Sequence, residues 1–143
     1  MKTFASVVAL SLLAGTAMAQ TRVASADWAP VGSAPAENFT VKNYYNQAVY
    51  DRSDNKIGTV DDVLLDKSGH VSALIIGVGG FLGMGEKDVA AKFQNVQMTK
   101  KNDKWYLVMD STKDELKAAP GYKYDSKTTT WMADANDKGT MNR

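Results

Sequence analysis

The segment that most constrains the fold is residues 71–93, VSALIIGVGGFLGMGEKDVAAKF, where an apolar run leads into closely spaced glycines and then resumes. The first run is rich in β-branched residues and too short for an ordinary helix, so it predicts a buried strand over 71–78. Glycine adopts positive φ without a steric penalty, so the glycines that follow predict a tight chain reversal. These glycines are Gly77, Gly79, Gly80, Gly83 and Gly85.

The first nineteen residues have the three-part pattern of a secretory signal peptide. Lys2 gives a positive start, residues 4–13 are apolar, and Ala17 to Ala19 form a small-x-small cleavage site before Gln20. The apolar run is too short and too interrupted for a membrane span, which needs about 20 predominantly apolar residues. The sequence therefore predicts cleavage near Ala19-Gln20 and a periplasmic or secreted protein with no integral membrane segment.

The charge and the cysteine count exclude several classes of protein. One of the 17 basic residues, Lys2, lies in the signal segment, and the remaining 16 balance 16 acidic residues without long runs of one sign. That pattern argues against a nucleic-acid partner and against electrostatic attachment to anionic lipid. Because the chain has no cysteine, stability has to come from packing or from association with another chain.

Short apolar runs separated by polar turns predict a mainly β domain over residues 41–122. Residues 20–40 are rich in Ala, Ser, Gly and Pro and predict a flexible leader. Strands are expected over 48–50, 57–65, 71–78, 89–93, 96–98 and 105–109. Tight turns between consecutive strands favour an antiparallel, Greek-key or barrel arrangement.

One helix is predicted near the end of this domain. Thr112 to Glu115 match a capping box, acidic residues occupy the first turn, and Pro120-Gly121 end the helix. Residues 123–143 are polar apart from Trp131-Met132 and predict a disordered tail.

Candidate catalytic groups do not converge in the sequence. The only histidine, His70, follows Gly69 in a predicted hairpin turn, where an exposed role is favoured over catalysis. Asp61 and Asp62 are adjacent, and alternation along a strand predicts that they point to opposite faces. No enzymatic activity and no resident cofactor are expected.

Two ligand-binding patterns are incomplete. Residues 51–62 resemble a calcium-binding loop, but Lys56 stands where a glycine is needed and Asp62 where a bidentate Glu is needed, so a turn between strands is favoured. Residues 80–87 have P-loop glycine spacing, but Glu86 occupies the position of the lysine. No metal site and no nucleotide site are predicted.

The remaining functional feature is a group of apolar residues suited to a hydrophobic contact. Phe81, Leu82 and Met84 stand among the glycines, and each would gain roughly 1.5–3 kcal/mol on full burial. Either they fold back as a plug over the domain, or a partner protein buries them. Both alternatives follow from the same residues, and the partner could be a second copy of the chain.

Residues 45–120 resemble the PRC-barrel family. The resemblance rests on Lys56-Ile57-Gly58, on residues 62–66 (DVLLD), on residues 110–116 (DSTKDEL) and above all on residues 75–87 (IIGVGGFLGMGEK). It implies a small, strongly bent β-barrel that acts as a protein-interaction module, and it supplies no catalytic residue. The expected function is therefore protein–protein interaction or assembly in the cell envelope. The alternative is a carrier of a small apolar or tetrapyrrole-like ligand.

Overall fold

The computed structural model describes residue 32 and residues 38–81 and 84–139 of the chain. The predicted signal peptide and nearly all of the predicted leader therefore lie outside the described residues. Short 3-10 turns are Val41–Asn43 and Phe93–Asn95, and the helix α1 is Lys113–Ala118. The strands are β1 (Ala48–Tyr50), β2 (Lys56–Leu65), β3 (Val71–Phe81), β4 (Met84–Lys92), β5 (Val96–Lys101), β6 (Lys104–Met109), β7 (Gly121–Asp125) and β8 (Thr130–Ala133).

All eight strands belong to one sheet in the order β5-β6-β1-β2-β3-β4-β7-β8, so the mainly β prediction is confirmed. Neighbouring strands are antiparallel with one exception, because β1 and β6 run parallel. The purely antiparallel prediction is wrong at this pair. After β4, the chain crosses to the other edge of the sheet and forms β5 and β6. β6 lies next to β1, on the side away from β2, and runs in the same direction as β1. Within the described residues, β5 and β8 end the sheet and do not pair with each other.

One face of the sheet, which we call the inner face, carries the hydrophobic core. Leu74, Ile76 and Val78 alternate along β3 and are almost completely buried. Other strands contribute Val49, Ile57, Val60, Val89, Ala91, Val96, Leu107 and Met109, and α1 contributes Leu116. Alternation of apolar residues on a strand thus directs one side of each strand into a shared interior.

The helix α1 begins at the capping box that the sequence predicts. The Glu115 amide donates to the Thr112 hydroxyl at 3.2 Å, and the Thr112 amide donates to the Glu115 carboxylate at 2.8 Å. These bonds satisfy backbone donors that the first helical turn leaves free. The helix is followed by two strands, so it is not the last element of the fold.

The hairpin β7–β8 corrects the prediction of a disordered tail. Its register pairs Tyr122 with Ala133 and Asp125 with Thr130, and β7 crosses the predicted domain boundary at residue 122. Aromatic and β-branched residues favour strands, and the hairpin contains Tyr122, Tyr124, Thr130 and Trp131. The polar residues around them make this pattern hard to recognise in the sequence. No helix in the described part of the chain is long and apolar enough to cross a membrane.

Candidate functional site

Strands β3 and β4 continue beyond their neighbours as a two-stranded arm. β3 pairs with β2 only as far as Gly77 opposite Thr59. Beyond that point, β3 pairs with β4 alone in the described residues, through Val78–Lys87, Gly79–Glu86 and Phe81–Met84. We call residues 78–81 together with residues 84–87 the arm.

The glycines of the arm lie mostly within strands, whereas the sequence predicts a loop that starts after Val78. Gly79, Gly80 and Gly85 have φ values of 81°, 72° and 73°, a region that side chains with a Cβ disfavour. Their backbone freedom therefore shapes an irregular ribbon rather than a long loop. Gly83 lies outside the described residues.

Two of the three predicted contact residues stand at the end of the arm. Phe81 is the last residue of β3, Met84 is the first of β4, and their backbones are opposite each other. Leu82 and the side chains of Phe81 and Met84 lie outside the description. Whether these side chains form a plug or a contact surface therefore stays a prediction.

Gly77 allows three carboxyl groups to converge on the outer face of the sheet. A Cβ at this position would collide with the carboxyl oxygens of Asp61 and Glu86. Asp88 lies directly opposite Gly77 on β4, and Glu86 precedes it by two residues on the same face. We call Asp61, Asp62, Glu86 and Asp88 the carboxyl face.

A β-bulge explains why Asp61 and Asp62 both belong to this face. Val60 is opposite Ile76, and Asp62 is opposite Ile75, so Asp61 is an extra residue in β2. A bulge interrupts the alternation of side chains. The prediction that Asp61 and Asp62 point to opposite faces is therefore wrong, because the simple two-residue period does not hold across the bulge.

The electrostatics of the carboxyl face favour a shared proton. Burial raises the pKa of Asp61 to about 6, and the neighbouring Asp88 charge and a hydrogen bond with Asp88 add to the effect. Burial also raises the pKa of Asp88, and the Glu86 charge acts in the same direction. Asp61 Oδ2 is buried and accepts no hydrogen bond from a donor group among the described residues. Protonated Asp61 can donate to Asp88, which removes one of two like charges from a partly buried pair.

The hairpin β7–β8 covers part of this outer face. Trp131 Nε1 donates to Asp62 Oδ2 at 2.7 Å, and Tyr122 lies opposite Asp88 where β7 joins β4. Ile75 shares the outer face with Asp62 and is fully buried although it lies outside the main core cluster. Trp131 therefore reaches the part of the sheet where Ile75 is shielded from water.

Lys87 binds the segment that follows the β7–β8 hairpin. Its Nζ donates to the Lys117 carbonyl at 2.7 Å and lies 2.9 Å from Asp137 Oδ2. The hydrogen bond from Lys87 lowers the pKa of Asp137. This contact joins the arm, the end of α1 and the residues after β8.

The other polar candidates have local structural roles. Asp51 accepts hydrogen bonds from the Ser53 and Asn55 amides at 2.8 Å, which forms the turn between β1 and β2 that the sequence favours over a calcium loop. His70 lies in a turn with 81% of its side chain exposed, 3.9 Å from Asp66. Within the described residues, no group of three or more His, Cys, Asp or Glu side chains is arranged to hold a metal ion.

Comparison with known families identifies the class of this chain. The model of the PRC-barrel domain matches residues 36–116, more than half of the sequence. The chain therefore belongs to the PRC-barrel domain family, as the resemblance in residues 45–120 implies. No curated protein is significantly similar to it.

Sequence reasoning missed the grouping of Asp61, Glu86 and Asp88 and the role of Trp131. Each of these residues is unremarkable in its own segment, and the bulge that groups them depends on the pairing register between β2 and β3. One signal was present in the sequence. Two acidic residues spaced by two on β4, at 86 and 88, indicate a polar outer face.

Proposed function

We propose that this chain is an exported, non-enzymatic module of the cell envelope that binds another protein or a second copy of itself. The arm is the contact element, and Phe81, Leu82 and Met84 are the contact residues. The mature protein is periplasmic or secreted after removal of residues 1–19.

The observation that carries this proposal is the extension of β3 and β4 beyond the pairing of β2. A two-stranded ribbon with apolar residues at its end and glycines along its length offers a compact hydrophobic contact. Membership of the PRC-barrel family supports an interaction role. The absence of a converging nucleophile, base and orienting group among the described residues fits a binding module.

The strongly bent barrel of the family is also proposed for this chain. The ladders β1–β2 and β2–β3 both contain register shifts, at Val49/Tyr50 and at Val60/Asp62. Bulges of this kind increase the local twist and bend a strand. They support a sheet that curves around the core rather than a flat one.

The substitution Phe81→Ser tests the contact role. We expect self-association in sedimentation velocity, or capture of a neighbour by crosslinking in the intact envelope, to fall at least about tenfold. The unfolding free energy should change by less than about 1 kcal/mol, because a contact residue contributes little to the isolated fold.

Leu65→Ser is the matched control, because Leu65 is an exposed apolar residue at the far end of β2. It should leave association unchanged. A loss of more than about 2 kcal/mol of stability in Phe81→Ser would show that this side chain is a plug, and the proposal would then be wrong.

A further inference from the structure

A groove at the other end of the sheet is formed by incomplete pairing of β6. β5 pairs with β6 along its whole length, from Lys101–Lys104 to Val96–Met109. On its other side, β6 meets β1 only at Leu107 and Val108. Within the described residues, the edge of β6 at Lys104–Tyr106 that faces away from β5 therefore carries no strand.

The groove lies beside this edge. Trp105 and Tyr106 point to opposite faces of β6, as neighbours on a strand do, yet both line the groove. Its volume is about 260 Å³, and its other walls come from the turn Val41–Asn43, from β1 and from Met98.

Apolar groups flank the open edge. Trp105 is 50% exposed although it lies on the same side of β6 as the buried Leu107. Phe39, which is 48% exposed, meets the Trp105 ring edge-to-face with a centroid distance of 5.2 Å. Exposed aromatic side chains next to unpaired backbone are typical of surfaces that receive an extended segment.

The positive charge of the groove favours an acidic segment. Lys42 and Lys104 line it, and no acidic residue does. Neither lysine forms an ion pair with any residue that the structure describes. An acidic partner would therefore gain two charge-assisted contacts without first breaking existing ones.

We propose that this groove binds an extended acidic segment of another protein, which adds to the free edge of β6. Alternate side chains of such a segment point to opposite faces. An acidic residue can then reach Lys104 while its apolar neighbour packs on Trp105. This inference goes beyond the proposed function, because it does not use the arm and holds whether or not the arm binds a partner.

Binding of the peptide acetyl-Asp-Val-Asp-Phe-Asp-Val-amide to the full mature chain tests the proposal by NMR titration. We expect shifts at the amides of residues 104–106 and at the Trp105 indole, and affinity about tenfold higher than for the same peptide with Lys in place of Asp. The preference should shrink at high salt because the lysines are exposed to solvent. A peptide with N-methyl groups on alternate amides should bind about tenfold more weakly, because it cannot form the ladder.

Matched charge reversals complete the test. The double variant K42E/K104E should lose about tenfold in affinity for the acidic peptide, while K67E/K127E, which changes the same charge in two distant turns, should stay within about twofold. No binding of the acidic peptide, equal binding of both peptides, or shifts confined to another surface would overturn the proposal. Phe81→Ser should leave this titration unchanged, so failure here and failure of the arm are distinguishable.

Discussion

The inner and outer faces of β2, β3 and β4 are made from alternate residues of the same strands, yet they are covered in different ways. On the inner face, Ile76 packs into a continuous apolar core beneath α1. On the outer face, Ile75 is just as buried but lies among carboxyl groups. The inner face depends mainly on apolar packing, whereas the outer face also depends on the Trp131–Asp62 hydrogen bond and on a protonation state.

The attachment of the two covers explains this difference. The helix α1 inserts the buried Leu116 into the core. The hairpin β7–β8 joins β4 through only two residue pairs, at Asp88 and Val89, and adds the Trp131–Asp62 bond. Elements held by few backbone pairs open more readily than core strands. The outer face is therefore the part of the domain whose stability responds most to solution conditions.

The largest expected effect separates the two faces directly. Ile76→Ala should lower the unfolding free energy by about 2–5 kcal/mol, because it leaves a cavity in a closely packed core. Ile75→Ala should cost less, about 1–2 kcal/mol, because the hairpin can close over the smaller side chain. Urea unfolding measures both. Equal costs would show that the hairpin is as rigid a cover as α1.

A smaller effect is expected at the hydrogen bond of the hairpin. Trp131→Phe keeps most of the apolar area but removes the donor to Asp62, so it should cost about 1–2 kcal/mol. Amide exchange should rise in β8 and stay unchanged in β6. Tyr124→Phe is the matched control, since Tyr124 is 52% exposed and packs edge-to-face on Trp131. If both variants behave alike, the Trp131–Asp62 bond does not stabilise the hairpin.

The smallest effect is the dependence of stability on pH. Because the pKa of Asp61 is about 6 in the folded protein and ordinarily 3.8, the folded state binds more protons between about pH 4 and 7. The contribution of Asp61 to the unfolding free energy should then fall as the pH rises through that window, by about 1 kcal/mol after allowance for solvent screening of a half-exposed group. The raised pKa of Asp88 acts in the same direction.

Asp61→Asn should flatten this pH profile, because the amide donates to Asp88 at every pH as the protonated acid does. Asp103→Asn, in the exposed β5–β6 turn, should keep the wild-type slope. A wild-type pH profile between pH 4 and 7 that matches the profile of Asp61→Asn would contradict a shared proton on the carboxyl face.

The core could be predicted from local pattern, but the outer face could not. The run from Val71 to Val78 and the capping box at Thr112 are local signals, and both elements form where the sequence predicts them. The bulge at Asp61 depends on the register between β2 and β3, which no single segment encodes. The parallel contact of β1 with β6 likewise depends on a long crossover. The glycines in the sequence predict the chain reversal at the end of the arm, whereas the contact role of the arm stays a prediction.

The most direct test of the interaction role is position-specific crosslinking in the intact cell envelope. A photoreactive residue at position 82, which follows Phe81 in the chain, is compared with one at Lys127, in the exposed turn between β7 and β8. We expect a discrete crosslinked product at position 82, lost in Phe81→Ser, and none at position 127. Equal products at the two positions, or none at position 82, would contradict the interaction role.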